Sequence, residues 1–139
     1  MRKLLIILLL IGFCGISYAN SQNVYKRLTR ANNIKPLSFV IIKEHNRREC
    51  SLACTDGRTL TITTKLLSIV RNEDELAGVI GHEMAHAVYG NEMKADVQGL
   101  KYAKRAGYNY CRAAKFLKSL VGDNKHPDGN IRYKNTGCK

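Results

Sequence analysis

The sequence has no internal repeat and no low-complexity tract, so neither a repeat array nor a compositionally biased linker accounts for its 139 residues. Acidic residues are scarce: 11 Asp and Glu stand against 23 Lys and Arg, a formal net charge of +12. A surplus of that size points to contact with anionic material, such as an envelope surface of lipopolysaccharide, phospholipid or cell-wall polymer. The basic residues are scattered and form no stripe interleaved with aromatics, which disfavours nucleic acid as the partner. The apolar run Leu4 to Phe13 is too short to cross a bilayer comfortably. With Met1-Arg2-Lys3 before it and the small-residue site Ser17-Tyr18-Ala19 after it, the run has the form of a bacterial-style signal peptide cut after Ala19. Residues 1–19 are then a leader and residues 20–139 a single domain, large enough for one modest core, in the periplasm or outside the cell. Cys14 follows Phe13, where a lipid-attachment box calls for a small residue, so lipidation is disfavoured.

Loss of the leader removes Cys14 and leaves Cys50, Cys54, Cys111 and Cys138, an even number that in an exported chain argues for disulfides. Spacing does not choose among the three connectivities. The preferred one joins Cys111 to Cys138, clamping the tail that carries His126 and Arg132 near the helices, and Cys50 to Cys54. A second zinc site built from these thiols is disfavoured by their spacing and by an oxidising compartment.

Turn and periodicity signals predict helices near Asn23 to Asn32, Lys65 to Val70, Glu73 to Tyr89, Glu92 to Arg105 and Asn109 to Val121. Asn72 is placed to cap the third of these, and Gly107 to end the fourth. Apolar strands are predicted over Leu37 to Lys43 and Arg58 to Thr63, the second following an Asp56-Gly57 turn and forming an edge above a cleft. Arg47 to Asp56 carries no clear pattern, His45 reads as a surface residue, and Gly122 to Lys139 reads as a loop. The chain is therefore α+β and mainly helical, with a small sheet or hairpin.

Within the predicted Glu73 helix lies Gly81-His82-Glu83-Met84-Ala85-His86. Two imidazoles at i and i+4 share one helix face, and the carboxylate between them can move protons beside a bound metal. Leu76, Ile80, Met84 and Ala87 form an apolar stripe apart from that histidine edge. Catalytic zinc takes three protein ligands and keeps a position open. Glu92, opening the next helix after the break at Tyr89-Gly90-Asn91, is the candidate third. Ala95, Gly99 and Ala103 beside it are small enough to let two helices approach closely. Asp96, one turn on, is placed to accept the free ring N–H of a ligating histidine; the competing reading is a surface acid paired with Lys101 or Lys104.

The stretch from about Thr59 to Arg132 resembles the M48 zinc metallopeptidases, the HtpX, Ste24 and Oma1 type of gluzincin. It carries Leu66-Leu67, Asn72-Glu73-Asp74-Glu75-Leu76-Ala77-Gly78-Val79-Ile80 before the motif helix, then Glu92-x-x-Ala95-Asp96-x-x-Gly99, Ala106-Gly107-Tyr108, and His126-Pro127 with Arg132 six residues on. Only five residues, Ala87 to Asn91, separate the second histidine from the glutamate, against a longer segment in the family. The resemblance implies a minimal zincin-like peptidase domain with one zinc ion held by His82, His86 and Glu92. It further implies that Glu83 is the general base, that His126 stabilises the oxyanion, and that Arg132 braces the acids of the site, with Asp96 the acid it would reach. A peptide or protein is the substrate on this reading. The competing functions are a non-cleaving zinc-binding module, a cell-wall amidase using the same chemistry, and a basic accessory protein that binds nucleic acid.

Overall fold

The computed structural model describes residues 15–43, 50–120, 129–134 and 136–138. Its elements are α1 (Tyr18–Ala31), β1 (Ser38–Ile42), β2 (Ala53–Thr55), β3 (Thr59–Thr63), α2 (Thr64–Ile69), α3 (Glu73–His86), α4 (Glu92–Arg105), α5 (Tyr110–Ser119) and α6 (Gly129–Lys134).

Helix α3 is the element on which the others assemble, and its start is fixed by local chemistry. Asn72 accepts a hydrogen bond from Glu75 N at 3.0 Å, and three acids occupy the first turn, where the helix dipole favours negative charge. Glu75 is buried, and its carboxylate accepts from Arg71 N at 2.8 Å and Arg71 Nε at 2.9 Å. Asp74 reaches across to α5, accepting from Asn109 N at 2.9 Å and Arg112 Nη1 at 2.7 Å. The single apolar stripe expected from periodicity is too narrow a description. Every residue from Glu75 to Ala85 except Glu83 is buried, because α4, α5, α1 and β2 all pack against α3.

Close approach of α3 to its neighbours depends on glycine. A Cβ on Gly99 would lie 2.5 Å from His82 N, one on Gly81 would lie 2.6 Å from the Gly99 carbonyl oxygen, and one on Gly78 would meet the Ala113 Cβ at 2.7 Å. Backbone contact across the α3–α4 crossing thus lets short side chains on the two helices reach one another.

The sheet has the order β1-β3-β2, with β1 parallel to β3 and β2 antiparallel to it. The strand expected at the edge is therefore the central one, and Leu60 to Thr63 are buried on both faces. The cleft-side strand is β2, which falls in the stretch without a sequence pattern. Its register, with Thr55 opposite Leu60 and Ala53 opposite Ile62, closes a hairpin over Asp56-Gly57. Gly57 takes a φ of +84°, a conformation that suits glycine.

Two further elements depart from the sequence reading. Helix α1 begins at Tyr18, capped by the Ser17 side chain, and Ile16 N donates to Leu67 O at 3.3 Å, so chain up to the expected cleavage site packs on the domain. Part of the tail expected as loop is α6. Cys14 and His45 lie outside the described residues.

Cys50 pairs with Cys54 and Cys111 with Cys138, each with Cα atoms 5.5 Å apart. The second bridge encloses the chain carrying α6. Loop-closure entropy grows with the loop enclosed, so serine at both Cys111 and Cys138 should destabilise the protein by about 3.5 kcal/mol and serine at both Cys50 and Cys54 by about 2 kcal/mol. Urea titration of the two double variants checks the order; equal losses would show that chain entropy is not the source.

Candidate metal centre

His82 and His86 occupy successive turns at the C-terminal end of α3. The helix then stops, and Val88 N and Tyr89 N both fold back onto Ala85 O, at 3.0 and 2.7 Å. The Asn91 side chain caps α4 by accepting from Lys94 N at 3.1 Å. The five-residue connection is therefore long enough to reverse the chain, and it delivers Glu92 as the first residue of α4.

In that position the Glu92 carboxylate faces both imidazoles. Glu92 Oε1 lies 3.0 Å from His86 Nε2 and Glu92 Oε2 lies 3.3 Å from His82 Nε2, with the two rings edge to face at 4.5 Å. One ligand atom from each of the three residues lies within 4.8 Å of the others. Zinc bound at 2.0–2.1 Å in a tetrahedron holds its ligand atoms about 3.3 Å apart. The donor set and its spacing fit that ion, with two imidazole nitrogens and a carboxylate converging on one point.

Behind this group sits a second layer. His82 Nδ1 faces Asp96 Oδ1 at 2.7 Å, an acceptor that favours a ring proton on Nδ1, so that Nε2, the nitrogen facing Glu92, is the one a metal would take. Asp96 is only 2 % exposed and takes two hydrogen bonds from Arg132, Nε to Oδ2 and Nη2 to Oδ1, each 2.6 Å. Arg132 Nη2 also lies 3.8 Å from Glu92 Oε2. The reading of Asp96 as a surface acid paired with Lys101 or Lys104 does not hold. A buried bidentate pair of this kind is retained when removing one partner would strand a charge in the interior.

The electrostatics follow from this packing. Burial opposes the charged form of His82, but hydrogen bonds to Asp96 and Glu92 and the nearby Glu83 charge outweigh it and raise the pKa to about 9. Burial also pushes the Glu92 carboxyl up, and the hydrogen bonds and charges of His82 and His86 more than offset it, holding the group far below the usual carboxylate range. Asp96 behaves alike, with burial overcome by Arg132 and His82. Arg132 is held in its charged form by Asp96 despite burial.

Glu83 is half-buried and lies outside the convergent three. It borders a cleft of about 510 Å³ that β2, the Asp56-Gly57 turn, His86 and Glu92 also line. His126 lies outside the described residues, so nothing is placed for it. The β2 wall escaped the sequence reading because a three-residue strand has too few positions to show alternation. The signal present was the Asp56-Gly57 dipeptide, which marks a hairpin and so calls for a strand on its N-terminal side as well.

Asp96→Asn keeps the shape but weakens the acceptor facing the His82 ring. Zinc affinity should fall about 10- to 100-fold, as for other partners that orient a ligand, and competition against a chromophoric chelator measures it. An unchanged affinity would mean that Asp96 serves only Arg132.

Comparison with curated proteins finds no match, and comparison with solved structures finds none either. The family model described as peptidase family M48 matches residues 17–91, from the Ser17 cap of α1 through both histidines to the Asn91 cap of α4. That span covers more than half of the sequence and ends one residue short of Glu92, which α4 then folds against the two imidazoles. The chain belongs to peptidase family M48, a family of zinc-dependent peptidases.

Proposed function

We propose that this protein is an exported zinc endopeptidase that hydrolyses peptide bonds in extended segments lying in the cleft between β2 and α3. The observation that carries the reading is the convergence of His82, His86 and Glu92, backed by Asp96 and Arg132, beside a Glu83 that is left out of the convergent set.

On this reading the three residues hold one zinc ion per chain. When bound, zinc supplies Lewis acidity to the scissile carbonyl and brings the pKa of water towards neutrality. Glu83 takes the proton of the attacking water and passes it to the leaving amine. Asp96 keeps His82 in the Nδ1–H tautomer, and Arg132 holds Asp96 ionised and in place. The outer edge of β2 offers backbone groups to a substrate strand, which would join the sheet as a fourth member. His126 is assigned to the oxyanion by resemblance alone.

Pairing of all four cysteines of residues 20–139 supports an oxidising compartment, in keeping with a leader at residues 1–19. A cut after Ala19 would remove the Ser17 cap and the Ile16 contact, so the mature domain would begin within the first turn of α1. The net charge, +12 for the full sequence and lower only by Arg2 and Lys3 after such a cut, favours residence near an anionic envelope surface.

Chelation tests the reading. Removing metal should abolish cleavage of an unstructured protein such as casein, and one equivalent of zinc should restore it. Uptake should also depend on pH. Because the metal-free His82 holds its proton up to about pH 9, binding must displace that proton. Apparent zinc affinity should therefore rise about tenfold per pH unit through neutrality and level off above 9. Zinc uptake without any hydrolysis would leave a metal-binding module that does not cleave. Salt-sensitive DNA binding indifferent to His82→Ala would favour the accessory-protein reading.

A further inference from the structure

Among the described residues the cleft lining is acidic, in a protein that is otherwise strongly basic. Of 11 acidic residues in the chain, Asp56, Glu83 and Glu92 line it, and among the described residues no lysine or arginine does. Glu83 and Glu92 are committed to chemistry and to the metal on the reading above, on which this inference rests. Asp56 is committed to neither. Its Oδ1 accepts from Arg58 N at 2.8 Å and Thr59 N at 2.7 Å, which fixes the carboxylate on the hairpin turn. Backbone N–H groups of Thr59, Arg58 and Asp56 itself, aided by the Arg58 charge, hold Asp56 below the ordinary carboxylate range.

The rest of the β2 wall is small and uncharged: Ala53, Cys54, Thr55 and Gly57. A Cβ on Gly57 would meet nothing within 4 Å, so the space beside Asp56 is open. Among the described residues the wall thus offers no apolar pocket to select a large hydrophobic side chain, and it presents one fixed anion at the end of the strand on which a substrate would lie. We propose that Asp56 is a specificity-determining residue that selects peptides carrying a lysine or arginine side chain in the subsite over the 56–57 turn.

The magnitude is bounded by solvent. An exposed ion pair contributes little, so the preference for Arg over the neutral Gln should be about three- to fivefold in kcat/KM, and it should shrink as salt is added. The test uses a quenched fluorescent peptide of fixed sequence in which Arg, Gln or Glu is placed in turn at each position flanking the scissile bond. At one position Arg should exceed Gln by that factor and Gln should exceed Glu. Asp56→Asn keeps an oxygen acceptor for the two turn amides and should bring the Arg to Gln ratio to about one, and Asp56→Lys should take it below one. In parallel, zinc-loaded Glu83→Gln protein is titrated calorimetrically with the same peptides, so that selection is read without turnover. Preferential binding of the Arg peptide without cleavage by the wild type would sink the endopeptidase reading and leave this one standing. Equal binding of the Arg and Gln peptides, or a preference that survives Asp56→Asn, would overturn the assignment of Asp56.

Discussion

Glu83→Gln should leave one zinc ion bound per chain and reduce peptide hydrolysis by about 10²- to 10⁴-fold, the range attributed to a positioned general base. Glutamine matches glutamate in shape, so the packing of α3 against its neighbours is kept, and it cannot accept a proton at neutral pH. Glu83 is one residue past His82 on α3, which turns its carboxylate away from the imidazole pair and onto the cleft wall. Metal affinity should accordingly be nearly unaffected, since the side chain is not one of the three that converge. Metal analysis by mass spectrometry and turnover of a fluorescent peptide give the two readouts on one sample. Turnover near the wild-type rate would remove Glu83 from the mechanism, whereas loss of zinc together with activity would make it a ligand.

The part of this site that was legible in the sequence is the part built by local rules. His82 and His86 share a face because four residues make about one helical turn, and Glu83 is displaced from that face for the same reason. Glu92 was reachable because a glycine-containing break followed by a new helix start fixes the direction of the chain over a few residues. Asn72 and Gly107 are legible as helix ends from local chemistry, the first through a side chain that caps an amide three residues on and the second through a backbone free to take positive φ, here +82°. Long-range placement was legible only through resemblance. The partnership of Arg132 with Asp96 spans 36 residues, and no periodicity or spacing encodes it. The sheet order shows the same limit. Leu60 and Ile62 alternate with threonines as an edge strand would, yet Thr61 and Thr63 are buried too, because β1 and β2 flank β3 and α2 follows directly. Threonine suits that place, since its hydroxyl can satisfy itself locally, as Thr63 does by donating to Leu52 O at 3.1 Å.

Burial of α3 on most of its sides also explains why one apolar stripe under-describes the helix on which the other elements assemble. An amphipathic stripe records one covered face. Here Gly78 and Gly81 replace side chains where α5 and α4 approach, so those faces are covered by backbone and small atoms, and hydrophobicity does not mark them. The same glycines bring α4 close enough for a glutamate, with a short side chain, to reach two histidines on another helix.

Glu92→Ala should cost more zinc affinity than the 10- to 100-fold expected for Asp96→Asn, because on the proposed reading it removes a ligand and not a group that orients one. It should abolish hydrolysis with it. Glu92 stands between His82 and His86 at 3.3 and 3.0 Å and helps raise the His82 pKa to about 9. Removing the carboxylate withdraws one of the hydrogen bonds that favours imidazolium, so His82 should titrate at a lower pH in the variant, followed by its ring proton resonances. Zinc uptake by the variant should then reach its plateau at a lower pH than in the wild type, even though it is weaker throughout. These two effects separate the ligand role from simple unfolding, which would erase the His82 shift and the metal site together and would broaden the thermal transition. Wild-type zinc affinity in Glu92→Ala would place the third ligand elsewhere, with His126 the next candidate. It would also reduce the Glu92 contacts to an ion pair between α3 and α4.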